Sequence, residues 1–447
     1  MTTLEQYVSE KYGSEHLSDW FVEFVQEIPN QQRVQDIIAK KEYLNGNHKI
    51  LKSPSYQYNG REFYPRKIVL QYAKTLLNFQ KAYLLQNPIT LTGNEKVVRE
   101  YQKVNRKGKY NRLNQKILDK VLKYGQVAEY VYLDNGVIKS KLIDPSHGYP
   151  IHDEHNQLIG FIQAFVNDGI EYYTVYEDDV VSEYNNAGGR LKLTGRYANL
   201  SGLPIIYHNQ NELDETQGRS ELDDWISILD SMEDLISKYT DSFYKFMNPI
   251  PVVIGQQLKG EGLPSQVIGG GISLDDGSDF KMASNGLDYK SFETIYKTLV
   301  QSLLDISQTP AVSMNKTDIS NLSEVSIKLL FSLANIKAGM NEQYLREGLE
   351  QRFNKIRRLL ELQGITFSDD DYDTLDIVFQ YATPSNDKEI IENLKQLREM
   401  GAISLESLLG HSPYVSDIQM ELQKIDKENN IQYVNKLDDI VDNVNNS

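Results

Sequence analysis

The clearest structural signal in the sequence is a pair of amphipathic stretches separated by a proline. The first stretch and the break after it read DYKSFETIYKTLVQSLLDISQTP over residues 288–310. Its apolar residues recur every three or four positions, which predicts a helix that buries one face. Pro310 lacks an amide proton and disfavours the α conformation in the residue before it, so this helix should end near Gln308.

A second, longer helix is predicted over residues 322–363. Asn321 is a favourable N-cap, and Glu324 follows at the position that completes a capping box. Apolar residues continue at helical spacing up to Gly364. Unbroken, this helix would be ~60 Å long, which exceeds the diameter of a small domain. Its apolar stripe therefore needs either a large protein or neighbouring subunits to bury it.

The segment before the first stretch predicts a partner for it. Residues 220–247 have a strongly amphipathic helical pattern with an acidic polar face, and Pro249 ends it. Residues 250–287 contain short strand-like runs and Gly-rich turns. Helices over 220–247 and 288–307 would therefore flank a small β module, as in a helical hairpin with an excursion at its tip.

The remainder of the chain combines helices with one region of alternating pattern, so the fold class is α+β and mainly helical. Helices are expected over residues 1–45, 66–86 and 96–123, and a last helical region begins near residue 385. From residue 126 to about 200 the period changes to two, with a hairpin turn at Asn135-Gly136. This predicts an antiparallel β meander. Its expected strands cover 127–133, 137–143, 158–167, 170–176, 179–184 and 190–196, and a separate strand is expected at 375–381.

Composition limits the classes of function. The chain has 447 residues, no cysteine and a formal net charge of −16. Thiolate zinc sites, disulfides and cysteine nucleophiles are excluded, and an acidic protein is unsuited to gripping DNA tightly, although it can surround DNA. No apolar run is long enough for a membrane helix, and the first residues lack a signal-peptide pattern, which fits assembly inside a cell. The 29 tyrosines suit large subunit interfaces, or else reflect an AT-rich genome.

The predicted helical region 96–123 concentrates positive charge in this acidic chain. Two interpretations stay open, a surface that faces phosphates and an ordinary solvated helical face, and the second is the commoner outcome for a run of charges. The cations are Lys96, Arg99, Lys103, Arg106, Lys107, Lys109, Arg112, Lys116, Lys120 and Lys123.

Motifs for catalysis or metal binding are weak throughout. Gly269-Gly270-Gly271 lacks the Gly-Lys-Ser/Thr that completes a phosphate-binding loop. His152-Asp153-Glu154-His155 falls between strands, where neighbouring side chains point apart, and is better explained as a polar turn. The acidic run 275–279 resembles a calcium loop but has Gly286 where the twelfth-position glutamate belongs. We therefore expect no catalytic residue, no metal and no cofactor.

Several short stretches have an order and spacing that occur together in one protein family. With these stretches, the chain resembles the portal (head–tail connector) proteins of tailed bacteriophages, in the branch from long-tailed phages of Gram-positive hosts. Gln86 departs from the family's usual glycine, and residues 316–323 lack the glycines that often precede the long helix. The stretches are Tyr43-Leu44-Asn45-Gly46-Asn47-His48-Lys49-Ile50-Leu51, Ala82-Tyr83-Leu84-Leu85-Gln86-Asn87-Pro88-Ile89, Tyr124-Gly125, Ile143-Asp144-Pro145, Asp305-Ile306-Ser307-Gln308-Thr309-Pro310, Gly401-Ala402-Ile403-Ser404-Leu405-Glu406-Ser407-Leu408-Leu409, Pro413-Tyr414-Val415-Ser416-Asp417 and Glu421-Leu422.

The resemblance implies a ring, usually dodecameric, at one capsid vertex, through which double-stranded DNA passes. It also implies a division of each subunit into named regions. These are the wing (1–219), the first stem helix (220–248), the clip (249–287), the second stem helix (288–308), the tunnel loop (309–321), the long helix (322–363), a wing strand (364–384) and the crown with the C-terminal tail (385–447).

The same resemblance implies which residues face which partner. The partners would be further copies of the chain, double-stranded DNA held transiently and without sequence preference, the terminase large subunit, a head-completion adaptor, and the major capsid and scaffolding proteins, with no membrane. The location would be the virion, and the host cytoplasm during assembly. The residues nearest to DNA would be the tunnel-loop residues Thr309, Pro310, Ala311, Val312, Ser313, Met314, Asn315, Lys316, Thr317 and Asp318. A partner-docking surface in the clip would include Gln256, Lys259, Gln266, Asp275 and Asp276.

The acidic face of helix 220–247 offers a further candidate site. A DNA conduit must not hold phosphates, and carboxylates repel them over the Debye length of ~8 Å at physiological salt. Asp230, Glu233 and Asp234 are therefore a candidate acidic tunnel wall, with a solvated outer face as the equally weighted alternative. Two alternatives to a portal also stay open: a minor capsid or scaffold-type protein without a tunnel, and an enzyme that uses the acidic clusters 275–279 and 369–371.

Overall fold

The computed structural model describes residues 3–13, 18–58, 61–246, 250–254, 277, 279–283, 288–310, 324–384, 387–415, 418 and 420–428. Its contacts divide the chain into two compact units. The first comprises Met1–Ala311 and Leu333–Ala382, and the second comprises Val312–Ser332 and Thr383–Ser447.

Helices account for most of the described residues. In chain order they are α1 (Leu4–Tyr12), α2 (Trp20–Gln26), α3 (Ile28–Leu44), α4 (Tyr72–Leu85), α5 (Glu95–Gly108), α6 (Tyr110–Tyr124), α7 (Leu222–Phe246), α8 (Tyr289–Ile306), α9 (Glu324–Leu330), α10 (Ser332–Leu362), α11 (Asp369–Tyr372), α12 (Asp387–Glu399) and α13 (Leu405–His411). Helices α9, α12 and α13 belong to the second unit. Since α8 ends at Ile306, the predicted stop before Pro310 is confirmed.

The strands of the first unit form two main antiparallel sheets. In chain order the strands are β1 (Tyr56–Tyr58), β2 (Arg61–Phe63), β3 (Thr90–Thr92), β4 (Gln126–Asp134), β5 (Val137–Ile143), β6 (Gly148–His152), β7 (Leu158–Asn167), β8 (Ile170–Tyr176), β9 (Val180–Asn185), β10 (Lys192–Ala198), β11 (Ile205–His208), β12 (Ile250–Ile254), β13 (Asp279–Ala283) and β14 (Asp376–Val378). One sheet has five strands in the order β10-β9-β8-β7-β6, and the other has three in the order β11-β4-β5. Strand pairs β1-β2, β3-β14 and β12-β13 complete the topology.

The predicted single meander is therefore wrong in one respect. Strands β6 to β10 do form a meander, but the β4–β5 hairpin that precedes them belongs to a different sheet. The hairpin gains its third strand from β11, in which Ile205 pairs with Glu129 and His208 with Gln126. That pairing joins segments about eighty residues apart, so local periodicity could not reveal it.

Three predicted helices differ from the helices observed, and side-chain hydrogen bonds account for two of the differences. Helix 66–86 begins only at Tyr72, because the amides of Ile68 and Leu70 donate to Ser237 Oγ and Glu233 Oε1 instead of starting a helix. The long helix is interrupted at Phe331, where the Ser332 hydroxyl donates to the Leu329 carbonyl and competes with the helical ladder.

The third difference divides the basic helix 96–123 into α5 and α6. Lys109 adopts a left-handed conformation with φ 55° between them. Gly108 ends α5 where a Cβ would lie 2.3 Å from the Tyr110 ring. A close approach of this kind requires glycine at position 108, and the left-handed Lys109 after it ends the helix.

Aromatic residues of the N-terminal helices build one core against the five-stranded sheet. Trp20, Phe21 and Phe24 of α2 pack with buried residues of β6, β7 and β8, among them Tyr149 and Tyr173. The Phe21 and Tyr173 ring centroids are 5.3 Å apart. A second core, which includes Tyr130, Ile143, Phe161 and Tyr176, joins strands of both sheets. Burial of these apolar side chains is the main stabilising contribution.

A buried ion pair fixes the long helix α10 on the three-stranded sheet. Arg352 Nε and Nη2 donate to Glu129 Oε2 at 2.9 and 2.7 Å, and Nη1 donates to Asn114 Oδ1 at 2.6 Å. Tyr207 Oη donates to the same Glu129 oxygen at 2.6 Å. The two charged side chains are 1% and 0% exposed, so each depends on its partner in a medium of low dielectric constant. Gly348 allows this approach, because a Cβ there would lie 2.3 Å from the Tyr207 ring.

We expect Arg352→Met to destabilise the chain by about 3–5 kcal/mol, because Glu129 would be left charged, buried and unpaired. The matched control is Arg357→Met, which removes a more exposed guanidinium paired with Glu361 and Asp369 and should cost less than about 1 kcal/mol. Urea unfolding followed by circular dichroism measures both free energies. Equal unfolding midpoints for the two variants would contradict the role of the buried pair.

Candidate functional site: the helical hairpin

Helices α7 and α8 form a hairpin whose tip carries a two-stranded ribbon. Strand β12 follows α7, strand β13 precedes α8, and the two strands pair antiparallel from Ile250↔Ala283 to Ile254↔Asp279. The predicted hairpin with a β excursion is confirmed. The proposed clip residues Gln256, Lys259, Gln266, Asp275 and Asp276 lie outside the described residues, so their role stays a prediction.

Aromatic stacking joins the two helices and attaches them to α4. The rings of Tyr239 on α7 and Phe292 on α8 are stacked with centroids 3.8 Å apart. Tyr296, one turn further along α8, places its hydroxyl 3.2 Å from that of Tyr72 on α4. Asp288 caps α8 by accepting a hydrogen bond from the Ser291 amide. The hairpin is therefore a packed unit with a fixed base.

A buried carboxylate anchors α7 at the base of the hairpin. Glu233 Oε1 lies 2.6 Å from His48 Nδ1 and accepts a hydrogen bond from the Leu70 amide at 2.8 Å. The His48 ring stacks on Tyr43 with centroids 3.9 Å apart. The side chains of Glu233 and His48 are 0% and 1% exposed. This cluster connects α7 to the turn after α3 and to the extended segment before α4.

The structure corrects the predicted acidic wall. Glu233 lies four residues after the buried Leu229, on the same helical face, and is enclosed rather than facing solvent. Asp230 is half-buried, and this burial raises the pKa of its carboxyl group. The Asp234 side chain is half exposed, at 49%, and it pairs with Lys238 at 2.8 Å. The three carboxylates therefore do not share one solvent-facing surface.

Other carboxylates near the start of α7 are also paired with cations, which weakens any net negative field there. Glu221 contacts Lys337 at 2.6 Å, Asp223 contacts Lys40 at 2.8 Å and Asp224 contacts Arg219 at 2.6 Å. The acid excess of this helix is visible in the sequence. The sequence could not show that cations from other segments of the chain pair with these acids.

Only the start of the predicted tunnel loop falls within the described residues. Thr309 donates its amide to the Leu304 carbonyl at 3.0 Å, and Pro310 follows it, half-buried. Gln308 has φ 52°, a left-handed conformation that turns the chain away from the axis of α8. Ala311, Val312, Ser313, Met314, Asn315, Lys316, Thr317 and Asp318 lie outside the described residues and stay predictions.

Large apolar side chains remain exposed on the hairpin and on the long helix. On α8, Ile295 and Ile306 are each 50% exposed, and their spacing of eleven residues places them on one helical face. On α10, Leu333 and Ile336 are also exposed. The sequence predicted apolar stripes that one subunit cannot cover, and these residues agree with it. Rows of exposed apolar side chains mark surfaces for association.

Of the two acidic clusters that could support an enzyme, the run 369–371 is used structurally, whereas most of the run 275–279 lies outside the described residues. Asp369 pairs with Arg357 at 2.6 Å, and Asp371 accepts hydrogen bonds from Asn94 and Ser368. The run around His152 is the expected turn, in which Asp153 accepts hydrogen bonds from the amides of His155 and Gln157.

A cavity of about 410 Å³ in the first unit has no carboxylate among the described residues that line it. Within the described ranges, no group of three His, Cys, Asp or Glu side chains is arranged for a metal ion. None of the helices in those ranges has the length and apolar character that crossing a membrane requires. The cavity is lined by Tyr130, Tyr132, Leu133, Lys141, Tyr197, Ala198, Leu200 and Ser201.

Comparison with known proteins places the chain among phage portal proteins. Residues 28–432 match the family described as "Phage portal protein, SPP1 Gp6-like", and the chain therefore belongs to this family, as its resemblance predicted. The family is structural and is not known for an enzymatic activity.

One curated relative is the portal protein of Bacillus phage SPP1, which is 25% identical over 293 residues. That match covers 63% of this chain and 56% of the relative, so it spans little more than half of the relative's length. Solved structures with a similar chain include the virion of a native gene transfer agent particle, at 10% identity and a TM-score of 0.46, covering 75% of this chain and 87% of that one. Another is the neck of such a particle, at 10% identity and a TM-score of 0.44, covering 75% and 89%.

The buried anchor and its exposed neighbour on α7 give a matched pair of variants. Glu233→Ala should cost about 3 kcal/mol, because the Leu70 amide and His48 lose their buried acceptor. Asp234→Ala removes only an exposed i,i+4 ion pair and should cost less than about 0.5 kcal/mol. Thermal unfolding of both variants measures the difference. Similar melting temperatures would show that Glu233 does not anchor the hairpin.

Proposed function

We propose that this chain forms a ring, with dodecameric symmetry as in the portal resemblance, at one vertex of a phage capsid. Double-stranded DNA would pass through the ring during packaging and ejection. Family membership supports the assignment, and the single observation that carries the ring is the exposed apolar row on α8. Ile295 and Ile306 stay half exposed within the described part of the subunit, and a second copy of the same chain is the partner that a symmetric assembly supplies.

In this proposal each region has a separate task. The hairpin helices α7 and α8 are the stem, and residues 249–287 at its tip are the clip, which docks the terminase large subunit during packaging and a head-completion adaptor afterwards. Residues 309–321 are the tunnel loop next to DNA. Residues 385–447 are the crown, which faces the capsid interior. The major capsid and scaffolding proteins surround the ring, which assembles in the host cytoplasm and remains in the virion.

The conduit acts by physical constraint rather than by catalysis, so we assign no catalytic residue. Its wall must let phosphates slide, which requires few unpaired cations and little apolar surface toward DNA. Asp230 and Asp234 remain candidates for the wall, whereas Glu233 is withdrawn because it is buried. Since the acids near the start of α7 are paired with cations, the repulsion we assign to this helix is weak.

A charge placed on the exposed row of α8 should prevent ring closure without unfolding the subunit. Ile295→Glu would bury a carboxylate between copies, which should weaken association at least about tenfold. Thr294→Glu adds the same charge at an exposed position about 100° away around the helix and is the control. Electron microscopy gives the ring fraction, and circular dichroism checks the fold. Equal ring fractions for the two variants would remove α8 from the interface.

The tunnel loop gives a second test of the conduit. Deletion of residues 312–317 should leave rings visible by electron microscopy but lower the yield of filled heads in an in vitro packaging reaction, because the segment nearest to DNA is lost. A Gly/Ser replacement of the same length separates chain length from side-chain chemistry. A normal yield from the deletion variant would contradict the assignment of the loop.

A further inference from the structure

Helix α5 and the exposed part of α6 carry a concentrated positive surface, which we call the basic stripe. The chain has a formal net charge of −16, yet this segment contains eight exposed cations within about twenty residues. They are Lys96, Arg99, Lys103, Arg106, Lys107, Lys109, Arg112 and Lys116.

The five cations of α5 lie along one side of that helix. At 100° per residue, Lys96, Arg99, Lys103, Arg106 and Lys107 fall within a sector of about 100° and extend over ~16 Å of the helix axis. The buried residues Val97, Tyr101 and Val104 occupy a different sector, which packs into the core. The helix therefore holds the cations outward in a row with a fixed backbone.

Most of these cations are not neutralised within the subunit. Lys103 pairs with Glu100 at 2.5 Å, whereas the other seven make no ion pair with any residue that the structure describes. The contrast with the end of α6 is clear, since Lys120 pairs with Asp144 and Lys123 pairs with Asp119. Solvated helical faces usually intersperse both signs of charge, so an unbalanced row in an acidic chain indicates an anionic partner.

The chemistry of the stripe favours a polymer of phosphates over an acidic protein. No large apolar side chain is exposed between residues 95 and 124, all of which are described. Protein interfaces need such anchors at their centre and are depleted in lysine. Contacts to a nucleic-acid backbone need only flexible cations, and they carry no sequence information.

We propose that the basic stripe binds the phosphate backbone of double-stranded DNA without sequence preference, at a surface separate from the α7–α8 hairpin. The inference rests on the proposed function for the identity of the polymer, since DNA is the polyanion that a portal meets. It adds a place on the subunit where DNA is held, whereas the conduit wall must release it. The binding should be strongly dependent on salt.

The test compares two triple variants that remove equal charge. Arg99→Gln, Arg106→Gln and Lys107→Gln remove two arginines and one lysine from the stripe. Arg190→Gln, Lys192→Gln and Arg196→Gln remove the same number of each from exposed positions around β10. Fluorescence anisotropy with random-sequence duplex DNA is measured over a series of salt concentrations, with the full chain in the oligomeric state in which it purifies.

We expect the stripe variant to bind DNA at least about tenfold more weakly at low salt. The slope of log affinity against log salt should be smaller by roughly 3 units, since each phosphate contact contributes about 0.9. The control variant should bind as the wild type does. Equal binding by the stripe variant and the wild type overturns the proposal, and so does equal affinity of the wild type for polyglutamate and for DNA.

Electron microscopy of the same samples separates this inference from the proposed function. Rings that form normally while the stripe variant binds DNA unchanged would overturn the basic stripe alone. A wild type that forms no rings would overturn the portal assignment, whatever the anisotropy shows.

Discussion

The contact between Arg352 and Glu129 is the constraint on which the first unit depends. Both charged side chains are almost completely buried, so each is stable in its charged form only while it is paired with the other. Together they hold α10 against β4, α6 and β11. The same helix reaches Glu221, just before α7, through Lys337 at 2.6 Å. Helix α10 therefore links the three-stranded sheet to the base of the hairpin. A second buried carboxylate, Glu233, fixes that base to the turn after α3.

Structural features with local causes could be predicted from the sequence, and features that depend on distant residues could not. Pro310 ends α8 close to the predicted residue, and the hairpin with its β ribbon follows from local periodicity and turn residues. The division into two sheets could not be predicted, because β11 pairs with a strand far away in the chain. Glu233 was misplaced for the same reason: its partner His48 is 185 residues distant, although its position four residues after Leu229 signalled burial.

Apolar and positively charged surfaces of the subunit lie on different secondary-structure elements. Apolar side chains are exposed on α8 and on the start of α10, whereas α5 and α6 concentrate exposed cations, most of which make no ion pair with a described residue. Acids at and just before the start of α7 are instead matched by cations from α3, α10 and the loop before α7. A protein that must close on copies of itself and also let a polyanion pass needs this division, because apolar contact is nearly insensitive to salt and phosphate contact is not.

Ring formation requires that the apolar row on the hairpin be covered by further copies of the same chain. Sedimentation velocity of the purified protein over a wide range of concentrations, with electron microscopy of the same sample, tests it most directly. We expect a large closed species that appears in projection as a ring with a central hole. A folded single subunit that persists at high concentration, with the α8 row exposed to water, would contradict it.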